Sequence, residues 1–341
     1  MTIEEIKTMV NGPDYDFLRT NPHLGGGKII FLTLGGSYSY GTNVESSDVD
    51  IRGCALGLPS DLIGLTKFEQ FINTETDTTV YEFNKLIKLL LNCNPNVIEM
   101  LGCRPDHYIL LTEVGEMVLK NRQLFLSKRA VNSFGGYATS QLRRLENALA
   151  HDKLPQARVE EHVRNSMNSA MISFAERHDD IVKDSVILYT ADSQRDDLDK
   201  ELFADITLKK FPVREFKAML NELSNVLGNY DKLNHRNKKK DDDHLNKHAM
   251  HLIRLYLICL DILEKKDIIT YRGDDLDLLM SIRRGEYQKE DGTYRQEFFD
   301  MVSDFERRLG YAKKNTDLPD NPNMKVVEEF VMEVNRRALN V

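Results

Sequence analysis

The sequence has no apolar run near the roughly 20 residues that a helix needs to cross a bilayer, so it predicts no membrane association. It is poor in cysteine. Cys54, Cys93, Cys103 and Cys259 are the four in 341 residues, and no two stand as CxxC. A cysteine-built zinc site is excluded on that spacing, and Cys54 and Cys259, in apolar surroundings, read as buried thiols. An excess of positive charge is also missing. The formal net charge is −8, so bulk electrostatics do not draw the chain to nucleic acid or anionic lipid, although a local basic groove is compatible with that total. The first residues, MTIEEIKTMVNGPDYD, are acidic and lack a signal-peptide pattern, which predicts an intracellular, cytoplasmic protein. No internal repeat and no low-complexity segment occurs. What is present is ordinary for a globular chain: 41% hydrophobic and 29% charged residues, enough for a sizeable core and, by length, about two domains.

The first third carries strand signals. Residues 28–34 (KIIFLTL) form a short apolar run ending in glycines, which predicts a buried strand. Residues 48–58 (DVDIRGCALGL) begin with alternation: Val49 and Ile51 on one side, Asp48, Asp50 and Arg52 on the other. About one helical turn is expected over 38–41. Segments 67–73 and 78–83 predict a hairpin across TETD, followed by the helix NKLIKLLLNCN, which Pro95 ends. From about Asp106 the pattern is helical: 127–149 (interrupted early by Gly135-Gly136), 156–180, 213–227 behind Pro212, 243–264, 276–283, 295–309 and 326–339. HRNKKKDDDH reads as a solvated loop. The predicted fold class is α/β in the broad sense (α+β): a small mixed-sheet domain over 1–105 and a mainly helical domain over 106–341.

Two carboxylates on one face of a strand lie about 7 Å apart at roughly 3.3 Å per residue, and can converge on a hard cation. Mg²⁺ suits such a pair, because it is held by one or two carboxylates, waters and substrate phosphates. Gly35, Gly36 and Ser37 supply the anion-binding half: close backbone approach, N–H groups at a helix start, and a hydroxyl. Arg52, on the face of the aspartates, either contacts a phosphate or balances their charge. On the long C-terminal helix Lys247, His251 and Arg254 fall at i, i+4, i+7, one stripe apart from the leucine face. Spacing alone makes this a solvated polar face; opposite the aspartates it would bind phosphate. Arg283 and Arg284 are a weaker case of the same kind. His244, His248 and His251 share a helix spacing but lack an HExxH pattern or a fourth ligand. LGGGK at 24–28 lacks the spacing of a P-loop.

The stretch GGSYSYGTNVESSDVDIRG (35–53) resembles the signature of DNA polymerase β-type nucleotidyltransferases. Its extended form, with Tyr40-Gly41-Thr42, Ser47-Asp48 and Arg52-Gly53, is most similar to a bacterial and phage family of predicted nucleotidyltransferases that includes RNA ligase-associated members. Tyr81 with Lys85, NPNVIEML (94–101), KHAMHLIRL (247–255) and IRRGE (282–286) extend the resemblance over most of the chain. It implies that Asp48 and Asp50 bind Mg²⁺ or Mn²⁺, and that Gly36 and Ser37 hold the phosphates of a nucleoside triphosphate. It also implies a third carboxylate from a neighbouring strand, Asp77 or Glu82 with Glu75 behind them. Asp77 is favoured because the polar end of a strand reaches a metal without burying charge. The expected activity is transfer of a nucleoside monophosphate to a hydroxyl, with an RNA 3′ end as the first acceptor and a small molecule or protein side chain as the next. A nucleotide-binding regulatory protein on an inactive fold is the alternative from another class.

Overall fold

Ile29–Leu34 forms strand β1 in the computed structural model. All six of its residues are buried, which is what a run without alternation requires: a strand covered on both faces. Burying each large aliphatic or aromatic side chain contributes about 1.5–3 kcal/mol, so β1 is the natural centre of the first sheet. The structure describes residues 1–138, 142, 186–192, 200–217, 220, 224, 242–290 and 293–339.

Helix α1 (Ile3–Val10) opens the chain, fixed by a capping box in which Thr2 and Glu5 satisfy each other's backbone N–H groups. It is followed by α2 (Phe17–Thr20), β1, the short α3 (Gly36–Tyr40) and β2 (Ile51–Ala55). Next come α4 (Pro59–Leu62), the hairpin β3 (Gln70–Asn73) and β4 (Thr78–Glu82), α5 (Phe83–Leu90), α6 (Pro95–Ile98), β5 (Tyr108–Leu111) and α7 (Glu113–Lys120). The sheet order is β3-β4-β2-β1-β5. Only β2 and β4 run parallel; the other neighbours are antiparallel. One face of the sheet, carrying Leu32, Leu34, Ile51 and Val80, packs against Ile6, Val10, Tyr15 and Leu18.

After α7, helix α8 spans 129–138. It runs through Gly135-Gly136 where an interruption was expected. The buried Phe134 and Ala138 offset the roughly 1 kcal/mol that each glycine costs a helix. Strands β6 (Val186–Asp192) and β7 (Lys200–Ile206) pair in an antiparallel hairpin, and residues 213–217 are helical. The last part holds α9 (Asp242–Leu260), continued by one π-helical turn over Asp261–Lys265, then α10 (Leu276–Arg283), α11 (Gln296–Asn315) and α12 (Met324–Leu339).

The architecture is α+β, a mixed five-stranded sheet with a helical C-terminal region. Three expectations need correction. Strand β2 starts at Ile51, so both aspartates precede it. Tyr108–Leu111 is the fifth strand, paired to β1, in a region whose pattern reads as helical. The hairpin β6-β7 likewise falls where only helices were expected. Four-residue apolar runs carry no period, so tertiary pairing decides them. The expected helix over 156–180 lies outside the described residues, as do most of 213–227 and the charge run up to Asp241.

The chain forms two compact units, residues 1–145 with 242–341, and residues 146–241. Composition changes near residue 105, but compactness does not follow it, because α9 buries Leu252, Ile253 and Arg254 within the unit that contains the five-stranded sheet. Among the described residues no helix is long and apolar enough to cross a membrane.

Candidate active site

Alternation along β2 and β4 sorts their side chains. Register pairs Arg52 with Thr79 and Cys54 with Tyr81. Arg52, Thr79 and Tyr81 line a cleft of about 290 Å³ with Gly35, Gly36, Asp50 and Glu99. Val80 and Ala55 lie on the opposite face, in the core under α1 and α2.

The turn between β1 and α3 is shaped by what lies behind it. Gly35 donates its N–H to Asp50 O at 2.8 Å, which brings Asp50 alongside the turn. Gly36 has φ +53, and a β-carbon there would overlap Asp50 Oδ2. One at Gly35 would stand 2.9 Å from Arg52 Cγ. Both positions therefore need glycine, the second for its backbone conformation as well. The first-turn N–H groups of Gly36, Ser37 and Tyr38 have no acceptor within the helix. The exit from α3 is held from the C-terminal side. Arg272 N donates to Tyr40 O at 3.0 Å, Arg283 Nη1 donates to Thr42 O at 3.1 Å, and a β-carbon at Gly41 would stand 2.6 Å from the Tyr271 ring.

Asp50 meets Asp77, with Arg52 between them. Arg52 Nη2 lies 2.9 Å from Asp50 Oδ1 and 3.0 Å from Asp77 Oδ1. Burial and the neighbouring Asp77 carboxyl push Asp50 up to about 6, against the pull of Arg52 and Lys247. Asp77, more exposed, is held below its ordinary value: burial opposes this, but the neighbouring Asp50 carboxyl and Arg52 outweigh it. Asp77 stands at φ +42, a left-handed conformation for a non-glycine residue. Ile51 N bonds its carbonyl at 3.1 Å, which fixes this turn beside the entry of β2.

Not every expected site residue joins this pair. Asp48 is exposed and does not line the cleft; with β2 starting at Ile51, strand alternation does not reach back to fix it. Among the described residues no three of His, Cys, Asp and Glu are grouped to hold a metal ion. Glu82 is the N-cap of α5, its Oε2 accepting from Lys85 N at 2.9 Å, and Ala55, its register partner, lies on the face away from the cleft. Lys85 Nζ pairs with Glu69 at 3.0 Å, not with Glu82. Glu75 is exposed within the hairpin turn. Ser37 is half-buried in the first turn of α3.

The helical stripe divides in the same way. Lys247 is exposed, and its charge acts on Asp50. Arg254 is 2% exposed. Its Nη1 donates to Glu99 Oε1 at 2.5 Å, and its guanidinium lies 3.5 Å from the centre of the Tyr40 ring. Arg254 Nη2 and His251 Nδ1 are 2.7 Å apart. Arginine only donates, so Nδ1 accepts and the ring proton sits on Nε2. Tyr40 O–H donates to the other Glu99 oxygen at 2.5 Å. Arg254 is thus spent on the rear wall of the cleft. Tyr40, Glu99 and Arg254 each fall in a segment that carries the resemblance, but nothing in the spacing of those segments predicts that the three side chains meet.

The two carboxylates fit a divalent cation. They are held within reach of one guanidinium, and Gly36 leaves room that a side chain would fill. Mg²⁺ needs no more than two carboxylates where phosphate and water complete its shell.

A glycine–serine turn at the end of a buried strand, set against paired aspartates on a mixed sheet, resembles the arrangement of DNA polymerase β-like nucleotidyltransferases. Residues 12–164 match the model of the RNA repair pathway DNA polymerase beta family (RlaP), which bears out the resemblance over that part of the chain. No curated protein and no solved structure matches the chain.

Proposed function

We propose that the protein transfers a nucleoside monophosphate from a nucleoside triphosphate to a hydroxyl, with an RNA end as acceptor. The observation that carries this reading is the Gly35-Gly36 turn closed against Asp50, itself paired with Asp77. The RNA repair description of the matching family supports this choice of acceptor. The net charge of −8 fits a short end held in a local groove better than a long duplex, because phosphate contacts dominate affinity for duplexes.

In the reaction the acceptor oxygen bonds to the α-phosphorus. The bond from that phosphorus to the bridging oxygen breaks, pyrophosphate leaves and the hydroxyl gives up its proton. Asp50 and Asp77 would hold Mg²⁺ or Mn²⁺. Such an ion neutralises charge on the transferring phosphoryl group and its leaving group. The N–H groups at the start of α3 and the Ser37 hydroxyl receive phosphate oxygens. Lys247 supplies positive charge from across the cleft, and Arg254 holds Tyr40 and Glu99 in its wall. The chain's contribution is position and preset charge.

The test is incubation with each labelled nucleoside triphosphate, Mn²⁺, and a panel of RNA, DNA, small-molecule and protein acceptors. Label transfer to RNA that disappears in Asp50→Ala supports the proposal. A regulatory nucleotide-binding role draws on Asp48 standing apart from the pair; nucleotide binding with no transfer to any acceptor would favour it. Absence of any metal-dependent nucleotide binding would refute both.

A further inference from the structure

We propose that Arg52 is an exchange residue: it stands between Asp50 and Asp77 in the place of the divalent ion, and turns to the triphosphate when that ion is bound. This rests on the nucleotidyltransferase reading. The guanidinium fills the gap between the two carboxylates, 2.9 Å from one and 3.0 Å from the other. A cation shared by these carboxylates needs the same few ångströms, and two positive groups cannot share them without strong repulsion.

The surroundings allow the exchange. Arg52 Cγ lies close against Gly35, so the stem is pinned while the head keeps its remaining rotatable bonds. Besides the carboxylates, the head donates to the carbonyls of Ile51 and Asp77. Asp77 O already accepts from Ile51 N, so the departure of Arg52 leaves that carbonyl bonded. Gly35 and Gly36 line the same cleft as Arg52, and a planar fork of N–H donors matches phosphate oxygens. The ion frees Arg52 for phosphate, and phosphate keeps Arg52 away from the ion. Metal and nucleotide therefore bind with positive coupling, equal in both directions.

The test measures Mn²⁺ binding by the electron paramagnetic resonance signal of the free ion, with and without an α,β-methylene triphosphate analogue. It is carried out on the full chain, on Arg52→Gln, Arg52→Lys and Asp50→Asn. Without nucleotide, Arg52→Gln is expected to bind Mn²⁺ at least about five-fold tighter than the parent. Its affinity for the analogue with Mn²⁺ present should fall at least about ten-fold, and the coupling between the two ligands should shrink to what direct contact between ion and phosphate supplies. Arg52→Lys keeps the charge without the fork: it should match the parent in Mn²⁺ binding and still lose analogue affinity. It decides the question if Arg52→Gln fails to fold, which circular dichroism reports. Unchanged analogue binding in both variants would make Arg52 a fixed counter-ion and overturn the proposal. Unchanged or weaker Mn²⁺ binding in a folded Arg52→Gln would overturn it too. Failure of the underlying reading looks different: the parent itself would bind no Mn²⁺, or bind it equally well after Asp50→Asn.

Discussion

Changing Glu99 to glutamine removes one charge from a buried pair and leaves its size nearly unchanged. Glu99 is 5% exposed and Arg254 2% exposed. Burial opposes the charged form of Arg254, and Glu99 with Tyr40 more than restores it. Removing one partner of a buried pair typically costs about 3–5 kcal/mol, because the other charge is left uncompensated. Here the Tyr40 ring and His251 still face the guanidinium, which favours the low end, about 3 kcal/mol. At about 2–4 °C per kcal/mol for a unit of this size, Glu99→Gln should melt about 6–12 °C below the parent. The double variant Glu99→Leu/Arg254→Met should recover at least half of this, because an apolar pair carries no desolvation cost. The unpartnered Tyr40 hydroxyl accounts for the loss that remains, about 1 kcal/mol, and adding Tyr40→Phe should reduce it. Thermal unfolding by circular dichroism at pH 7.5, without ligands, reads all four proteins. A Glu99→Gln melt within about 2 °C of the parent, or a double variant that melts no higher than Glu99→Gln, would refute the reasoning.

Asp50→Asn should stabilise the ligand-free protein while abolishing transfer. An aspartate raised from 3.8 to about 6 in the fold favours the folded state below about pH 4 and loses that benefit as pH rises through about 6. The shift corresponds to at most about 3 kcal/mol, about 1–2 after screening; urea melts should show the gain at pH 7.5 and none at pH 4. Gly36→Ala should cost about 1–2 kcal/mol for its left-handed backbone and displace Asp50, so that Mn²⁺ binding is lost in a protein that still shows a cooperative melt. Lys247→Gln, at an exposed position, should leave stability within about 0.5 kcal/mol, while the KM for the nucleotide rises roughly five-fold and becomes less sensitive to salt; an unchanged KM would remove Lys247 from the site.

The local parts of the fold were legible. The apolar run of β1, the glycines after it and the alternation Val49–Ile51 against Asp50–Arg52 each follow from neighbours in sequence. The leucine face of α9 was equally plain. What escaped depends on partners far along the chain. Tyr108–Leu111 is a strand because β1 offers it an edge. Asp77 meets Asp50 because β4 runs parallel to β2 and brings its hairpin turn to that end. Glu82 faces away because of its place in the alternation, whereas Asp77 is favoured in the sequence by its position at the polar end of the strand. Arg254 and Lys247 share one helical stripe, yet seven residues of separation put one in the wall and the other in solvent.

The backbone of the α3 exit is tied to Arg272 and Arg283, in a compact unit that residues 146–241 interrupt. A ribosome therefore delivers the glycine turn and the aspartates long before the residues that hold the exit of α3. Until α9 emerges, Tyr40 and Glu99 lack their counter-charge, and the early product holds all five strands of the sheet but none of the C-terminal helices. Chains terminated early would carry the signature and every residue that lines the cleft, without the C-terminal contacts that tie the exit of α3 and pair with Glu99.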